Sequence, residues 1–137
     1  MDEAYVVLLA FVLWTVMWIF VMLVLRMKVA IPGKVKITEF THTGAEISPL
    51  MQRVSRVHAN CLENLPIFAS VVFVAAQTGT LDIINGLVWV YFGARVLQSL
   101  IHASSVSKAF IMPRAMCFWV QVGLTIYWSI QILLTIT

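Results

Sequence analysis

Residues 53–66 read RVSRVHANCLENLP, and this short polar segment restricts how the rest of the chain can fold. It contains two arginines, a histidine, amides and a carboxylate, and a long apolar stretch follows it directly. Ionised groups at membrane depth cost several kcal/mol each unless they are paired or hydrated. The segment therefore predicts the first part of a membrane-spanning helix that carries a functional site.

Four polar residues of this segment share one face of the predicted helix: Arg53, Arg56, Asn60 and Glu63. At about 100° per residue, their spacing keeps all four within about 80° of arc. His58 lies on the opposite side of the same helix. A row of donors with one acceptor suits a small anionic or zwitterionic ligand that is held inside a helical bundle.

The composition indicates an integral membrane protein. The chain has 137 residues, of which 61% are apolar and 11% are charged, whereas a soluble domain carries about 25% charged residues. The net charge of +3 predicts no nucleic-acid binding, because the basic residues lie where membrane topology requires them. Cys61 and Cys117 are predicted to be small buried side chains, and no metal site is expected.

Hydropathy predicts a single all-α domain over residues 1–137, with membrane spans at 4–25, 50–77, 82–103 and 114–135. The first span is an uncharged run of 22 residues, which is long enough to cross a hydrocarbon core of about 30 Å. Polar residues interrupt the third span, and Arg114 opens the fourth. The fold class expected from this pattern is an integral membrane four-helix bundle.

The lysines and arginines predict the orientation of these spans. They cluster around the first connection, between residues 26 and 56, and around the last one, at Lys108 and Arg114. The N-terminus, the turn at residues 78–80 and the C-terminal end carry none. Because positively charged loops remain in the cytoplasm, both termini are expected on the non-cytoplasmic side.

A second polar stripe lies on the third predicted span and consists of Tyr91, Arg95, Gln98 and His102. A buried guanidinium is most simply satisfied by a carboxylate, and Glu63 is the only acidic residue deep in the second span. We therefore expect an ion pair between Glu63 and Arg95. Such a pair would fix the helix register or contribute to ligand binding, and the two roles are compatible.

The predicted site has more cations than carboxylates. Four guanidiniums lie near the cytoplasmic ends of three predicted helices, on Arg53, Arg56, Arg95 and Arg114. Glu63 can neutralise one of them. The surplus requires anions, which either lipid phosphates or a bound ligand with carboxylates would supply.

The pattern R-x-x-R-x-H-x-N-x-x-E-x-x-P over residues 53–66 resembles the second-helix signature of the MAPEG family, the membrane-associated proteins in eicosanoid and glutathione metabolism. The length, the basic first connection and the positions of Arg95 and Arg114 agree with this family, so the resemblance covers nearly the whole chain. It implies a left-handed four-helix bundle assembled as a homotrimer, with glutathione sites between subunits toward the cytoplasm. The segment 63–66 is closer to the bacterial branch, which implies a bacterial inner membrane.

The resemblance also implies roles for single residues. By position, the glutathione-binding residues are Arg53, Arg56, His58, Asn60, Glu63, Tyr91, Arg95, Gln98 and His102. Arg114 matches the arginine that holds the glutathione thiolate, so it is the predicted catalytic residue. A free thiol has a pKa of about 8.5, and a guanidinium at low dielectric lowers it by favouring the anion. Glutathione is the expected co-substrate.

Three functions follow from these features. The first is a membrane-bound glutathione-dependent transferase or peroxidase that acts on lipophilic electrophiles or lipid hydroperoxides. The second is a non-catalytic family member that binds lipid or a partner protein; Ala115 and Phe118, which lack hydroxyls found in some members, leave it open. A small multidrug exporter is disfavoured, because the first span has no carboxylate and an arginine-rich site would repel cationic drugs.

Overall fold

The computed structural model describes residues 2–45, 47–104 and 107–137, and these residues are predominantly helical. The helices are α1 (Glu3–Ala30), α2 (Pro49–Thr78), α3 (Asp82–Asn85), α4 (Val88–Ser104) and α5 (Ile111–Ile136). Two short 3-10 turns lie in the connections, at Ile37–Glu39 and Lys108–Phe110. The all-α class predicted from the sequence is therefore confirmed for the described part of the chain.

Local sequence signals fix both ends of α2, the helix that carries the polar segment. At its start, the Ser48 hydroxyl accepts a hydrogen bond from the Met51 N–H at 3.0 Å, and Pro49 occupies the first turn. Both features are preferred at helix N-termini. At its end, Gly79 adopts a left-handed conformation with φ of 70°, which glycine enters without steric cost.

Three helical stretches among the described residues are long and apolar enough to cross a membrane: Glu3–Ala30, Pro49–Thr78 and Lys108–Ile136. They correspond to the first, second and fourth predicted spans. The third predicted span, 82–103, is divided into the four-residue α3 and the 17-residue α4. At 1.5 Å per residue α4 alone is about 26 Å long, shorter than a hydrocarbon core of about 30 Å. The fourth crossing therefore stays a prediction.

Polar contacts join the helices at both ends of the bundle. At one end, the side chain of Asn85 accepts from the Ala4 N–H at 3.0 Å and donates to the Asp2 carboxylate at 3.2 Å. At the other end, Arg53 Nε donates to the Ala103 carbonyl at 2.9 Å, which joins the start of α2 to the end of α4. The two basic connections lie at this second end, which we call the basic end.

An aromatic cluster joins the four long helices in the middle of the bundle. Its members are Phe11 of α1, Phe68 of α2, Tyr91 of α4 and Trp128 of α5. The rings of Phe68 and Tyr91 stack at 4.6 Å, and Tyr91 lies 5.6 Å from Trp128. Since lipid tails are as apolar as these side chains, close packing provides much of the association between helices in a membrane.

The aromatic cluster predicts a contrast between two tryptophans of α5. Trp128 is 0% exposed, whereas Trp119 is 67% exposed. Trp128→Ala leaves a large cavity and should cost about 3–5 kcal/mol, measured as a lower thermal midpoint of the purified protein in detergent. Trp119→Ala is the control and should change the midpoint little. Equal losses in the two variants would contradict the position of the cluster.

Candidate functional site

Arg95 lies inside the bundle with 1% of its surface exposed. Its Nη1 donates to the side-chain oxygen of Asn60, and its guanidinium lies 5.5 Å from the centre of the Phe11 ring. Its Nε and Nη2 have no hydrogen-bond partner among the described residues. Within the described part of the chain, an amide and an aromatic face therefore contact this buried charge, and no carboxylate does.

The predicted ion pair between Glu63 and Arg95 is not formed within the chain. Glu63 is exposed on α2, whereas Arg95 is buried on α4 and takes Asn60 as its acceptor. Asn60 precedes Glu63 by three residues, so the two side chains point about 60° apart around the helix. That rotation turns the Glu63 carboxylate away from α4. The expected pair was based only on the similar depth of Glu63 and Arg95, which leaves out the direction of each side chain around its helix.

The polar stripe of α2 divides into two edges for the same reason. Arg53 and Asn60 lie on the inner edge, where both contact α4. Arg56 and Glu63 lie on the outer edge, and both are exposed. A stripe about 80° wide is thus too broad to face a single neighbouring helix. The inner edge holds the bundle together, and the outer edge is available to other molecules.

A hydrogen-bonded group around Ser99 supports Arg95 from the side of α1. The Ser99 hydroxyl donates to the Arg95 carbonyl at 2.8 Å and accepts from Trp14 Nε1 at 3.1 Å. The Cys61 sulfur lies 3.9 Å from the same hydroxyl. Trp14 and Ser99 are not among the site residues predicted from the sequence. They carry no charge and fit an ordinary apolar span.

Gln98, a predicted ligand contact, bonds to α5 instead. Gln121 Nε2 donates to Gln98 Oε1 and to the Cys117 carbonyl, each at 2.9 Å. Both glutamines are buried, at 6% and 1% exposure. An amide in an apolar span is costly unless it finds a partner. The same cost applies in the fourth predicted span, where it points to Gln121 and Gln131.

Arg56, His102 and Arg114 all lie near the basic end, on α2, α4 and α5 respectively. The positive charges of Arg114 and Arg56 both act on the His102 ring. His102 and Arg114 are partly buried, and Arg56 is exposed. Glu63 lies seven residues beyond Arg56, about 10 Å along α2. The cluster therefore suits an anion with more than one acidic group.

The remaining predicted residues lie away from this cluster or are engaged elsewhere. Tyr91 stacks on Phe68 in the aromatic core, and Arg53 is engaged with the Ala103 carbonyl of α4. His58 is partly buried, and its Nε2 has no partner within the described ranges. On α4, Tyr91, Arg95 and Gln98 are buried and His102 is partly buried, so the predicted stripe does lie on the inward face.

The model of the MAPEG family matches residues 4–134 of the chain. All candidate site residues lie within the matched range, and the match confirms the resemblance drawn from residues 53–66. No curated protein and no solved structure matches the chain.

The Asn60–Arg95 contact predicts a stability effect with a rescue. Asn60→Leu removes the hydrogen bond of a buried guanidinium and should cost about 1–3 kcal/mol, seen as a lower thermal midpoint in detergent. The double variant Asn60→Leu, Arg95→Met should recover much of this loss, since an apolar pair can replace a buried charged one. Asn64→Leu is the control, because its amide donates to the Asn60 carbonyl within α2. A double variant less stable than Asn60→Leu would contradict the contact.

Proposed function

The chain belongs to the MAPEG family, and from this membership and from the basic cluster of Arg56, His102 and Arg114 we propose that it is a membrane-bound glutathione-dependent transferase or peroxidase. Its second substrates would be lipophilic electrophiles or lipid hydroperoxides. The family contains such enzymes and also non-catalytic members. The observation that carries the proposal is that Arg56, His102 and Arg114 all lie near the basic end of the bundle, on three different helices.

Glutathione has the charges that this cluster can recognise. It carries two carboxylates, and guanidiniums bind carboxylates through paired hydrogen bonds. Arg56 is exposed on the outer edge of α2 and can meet one of them. Arg114 is the fourth residue of α5, where the positive end of the helix dipole adds to its own charge. Both effects favour the thiolate over the thiol at this position.

The proposed chemistry begins with this thiolate in either reaction. In the transferase reaction, its sulfur attacks an electrophilic carbon, a carbon–sulfur bond forms, and the leaving group departs with the electron pair. In the peroxidase reaction, the sulfur attacks the terminal oxygen of a hydroperoxide, the O–O bond breaks, and the alkoxide takes up a proton. A second glutathione then converts the sulfenic acid of the first into a disulfide and water.

We also propose that the outer edge of α2 faces a neighbouring copy of the chain in a homotrimer. Glu63 is exposed 14 residues after Pro49, about 21 Å along the helix. A carboxylate that faces hydrocarbon at such a depth is costly. A neighbouring subunit with a ligand at the interface would cover Glu63 and Arg56 together. Glutathione would then lie between subunits.

The proposed membrane arrangement follows from the charges. α3 and α4 together complete the fourth crossing, and the basic end faces the cytoplasm of a bacterial cell. The lysines and arginines of both connections support this orientation, since such residues remain on the cytoplasmic side of the inner membrane. Both termini then lie on the non-cytoplasmic side.

A non-catalytic function has support from a different observation. Three predicted ligand contacts, Tyr91, Arg95 and Gln98, are buried and contact other residues of the bundle. A bundle that uses these residues for its own stability needs no glutathione. In that case Arg56 and Arg114 would bind lipid phosphates or an acidic partner. Such a protein would keep its fold without any chemistry at Arg114.

The proposed activation of glutathione predicts a spectroscopic signal. Ultraviolet difference absorbance of the detergent-purified protein with glutathione should show a thiolate band near neutral pH. Arg114→Ala should abolish the band and lower the turnover of a reactive aryl halide about 100-fold or more, as loss of a charge-stabilising donor does. Lys108→Ala, an exposed cation of the same connection, should keep both. The absence of a band and of calorimetric binding in the wild type would favour the non-catalytic function.

The proposed interface predicts an assembly defect that is separate from activity. Glu63→Gln should lower the trimer fraction in native mass spectrometry from mild detergent, because the charged contact of the outer edge is lost. Glu39→Gln is the control, since Glu39 is exposed in the first connection. An unchanged trimer fraction would contradict the interface position while leaving glutathione binding as an independent question.

A further inference from the structure

An apolar groove lies beside the last turns of α1, at the basic end of the bundle. It has a volume of about 410 Å³, and its lining consists of Leu23, Val24, Met27, Lys28, Ile31 and Pro32. Lys28 is the single charged member of this lining. Neither Arg56 nor Arg114 lines the groove, so it is separate from the basic cluster described above.

A tight turn brings a second lysine back to the end of α1. Gly33 adopts a φ of +76°, a left-handed conformation that favours glycine. The Gly33 N–H donates to the Ala30 carbonyl, and the Lys34 N–H donates to the Val29 carbonyl, each at 3.0 Å. The backbone of Lys34 is therefore fixed against the helical turn that contains Lys28.

The charges of this segment are all positive. Residues 26–36 contain four basic residues and no acidic one. Arg26 is engaged: its Nη2 donates to the Thr41 carbonyl at 3.0 Å, and its guanidinium lies 5.6 Å from the Phe40 ring. The three lysines, Lys28, Lys34 and Lys36, are exposed. Lys28 lines the groove itself, and the turn at Gly33 holds the backbone of Lys34 next to the end of α1; we call these two lysines the positive rim.

The length of α1 places this rim at the membrane surface. α1 has 28 residues and is about 42 Å long, whereas the hydrocarbon core is about 30 Å thick. The uncharged run of α1 ends at Leu25, and Arg26 and Lys28 follow it, so the last turns of the helix extend into the headgroup layer. Two apolar side chains next to the lysines, Ile31 and Ile37, are 81% and 70% exposed. Apolar residues beside lysines are typical of segments that lie in the membrane interface.

We propose that this groove binds an acidic phospholipid. One acyl chain packs against Leu23, Val24 and Met27, and the phosphate lies between Lys28 and Lys34. Clustered basic residues directly beside a membrane span attract acidic lipids. A free phosphate would gain nothing from the apolar lining, and lysines that only set the topology need no groove beside them. Lipid binding at this site would make the arrangement of the end of α1 and of the first connection depend on the acidic lipid content of the membrane.

The test compares lipids of identical acyl chains with different headgroups. The full chain in detergent is titrated with phosphatidylglycerol or phosphatidylcholine, and bound lipid is counted by native mass spectrometry. The wild type should bind phosphatidylglycerol more tightly. The double variant Lys28→Gln, Lys34→Gln should lose about fivefold in affinity for each lysine removed. Lys108→Gln, an exposed lysine outside the groove lining, should keep the wild-type preference.

A second variant tests the acyl chain separately. Val24→Trp fills the groove without changing a charge, so it should reduce the binding of both lipids. Wild-type binding at high salt is a further readout, because screening shortens the range of the lysine charges. If the double variant fails to fold, Lys28→Gln alone should still lose about fivefold in affinity for phosphatidylglycerol. Equal affinity for the two lipids in the wild type, or full binding by Val24→Trp, would overturn it.

Discussion

The central constraint on this protein is the placement of one guanidinium, Arg95, inside an apolar bundle. A buried cation is tolerated where hydrogen bonds and polarisable groups surround it. Here Asn60 of α2 accepts from it, and Phe11 of α1 presents a ring face to it. Ser99 bonds to its carbonyl and to Trp14. These contacts fix the relative depth and rotation of three helices, α1, α2 and α4. The aromatic cluster packs next to them.

This arrangement separates polar residues that hold the fold from those that can meet a ligand. Arg53, Asn60 and Gln98 resemble ligand contacts by position, yet each is bonded to a neighbouring helix. Arg56 and Arg114 do not take part in that network. A ligand site made from the remaining cations, Arg56 and Arg114, is smaller and has two guanidiniums fewer than the full set of family positions. It would bind anions at the basic end of the bundle and leave the hydrogen bonds in the centre of the bundle intact.

Two features of the outer surface favour contacts with molecules other than the single chain. Glu63 is a carboxylate on the exposed edge of a predicted span, and exposed charge at that depth is unfavourable in hydrocarbon. The groove at the end of α1 is an apolar surface with a lysine in its lining. The first feature favours contact with protein and a polar ligand, and the second favours contact with an acidic lipid. The proposed neighbouring subunit and the proposed lipid would thus cover different parts of this surface.

Sequence alone was enough to predict the helical class, three of the long apolar helices, the inward stripe of α4 and the family, because these depend on composition and on spacing along one chain. The tertiary structure decided which acceptor Arg95 takes, which edge of the α2 stripe faces inward, and that Gln121 pairs with Gln98. Spacing gives the angle of a side chain around its own helix and says nothing of the rotation and depth of the neighbouring helix. The side chains of Asn60 and Glu63 point about 60° apart around α2. Because of this difference, Arg95 takes Asn60 as its acceptor and not Glu63. The break between α3 and α4, around Gly86 and Leu87, likewise lay within a hydropathy pattern that reads as continuous.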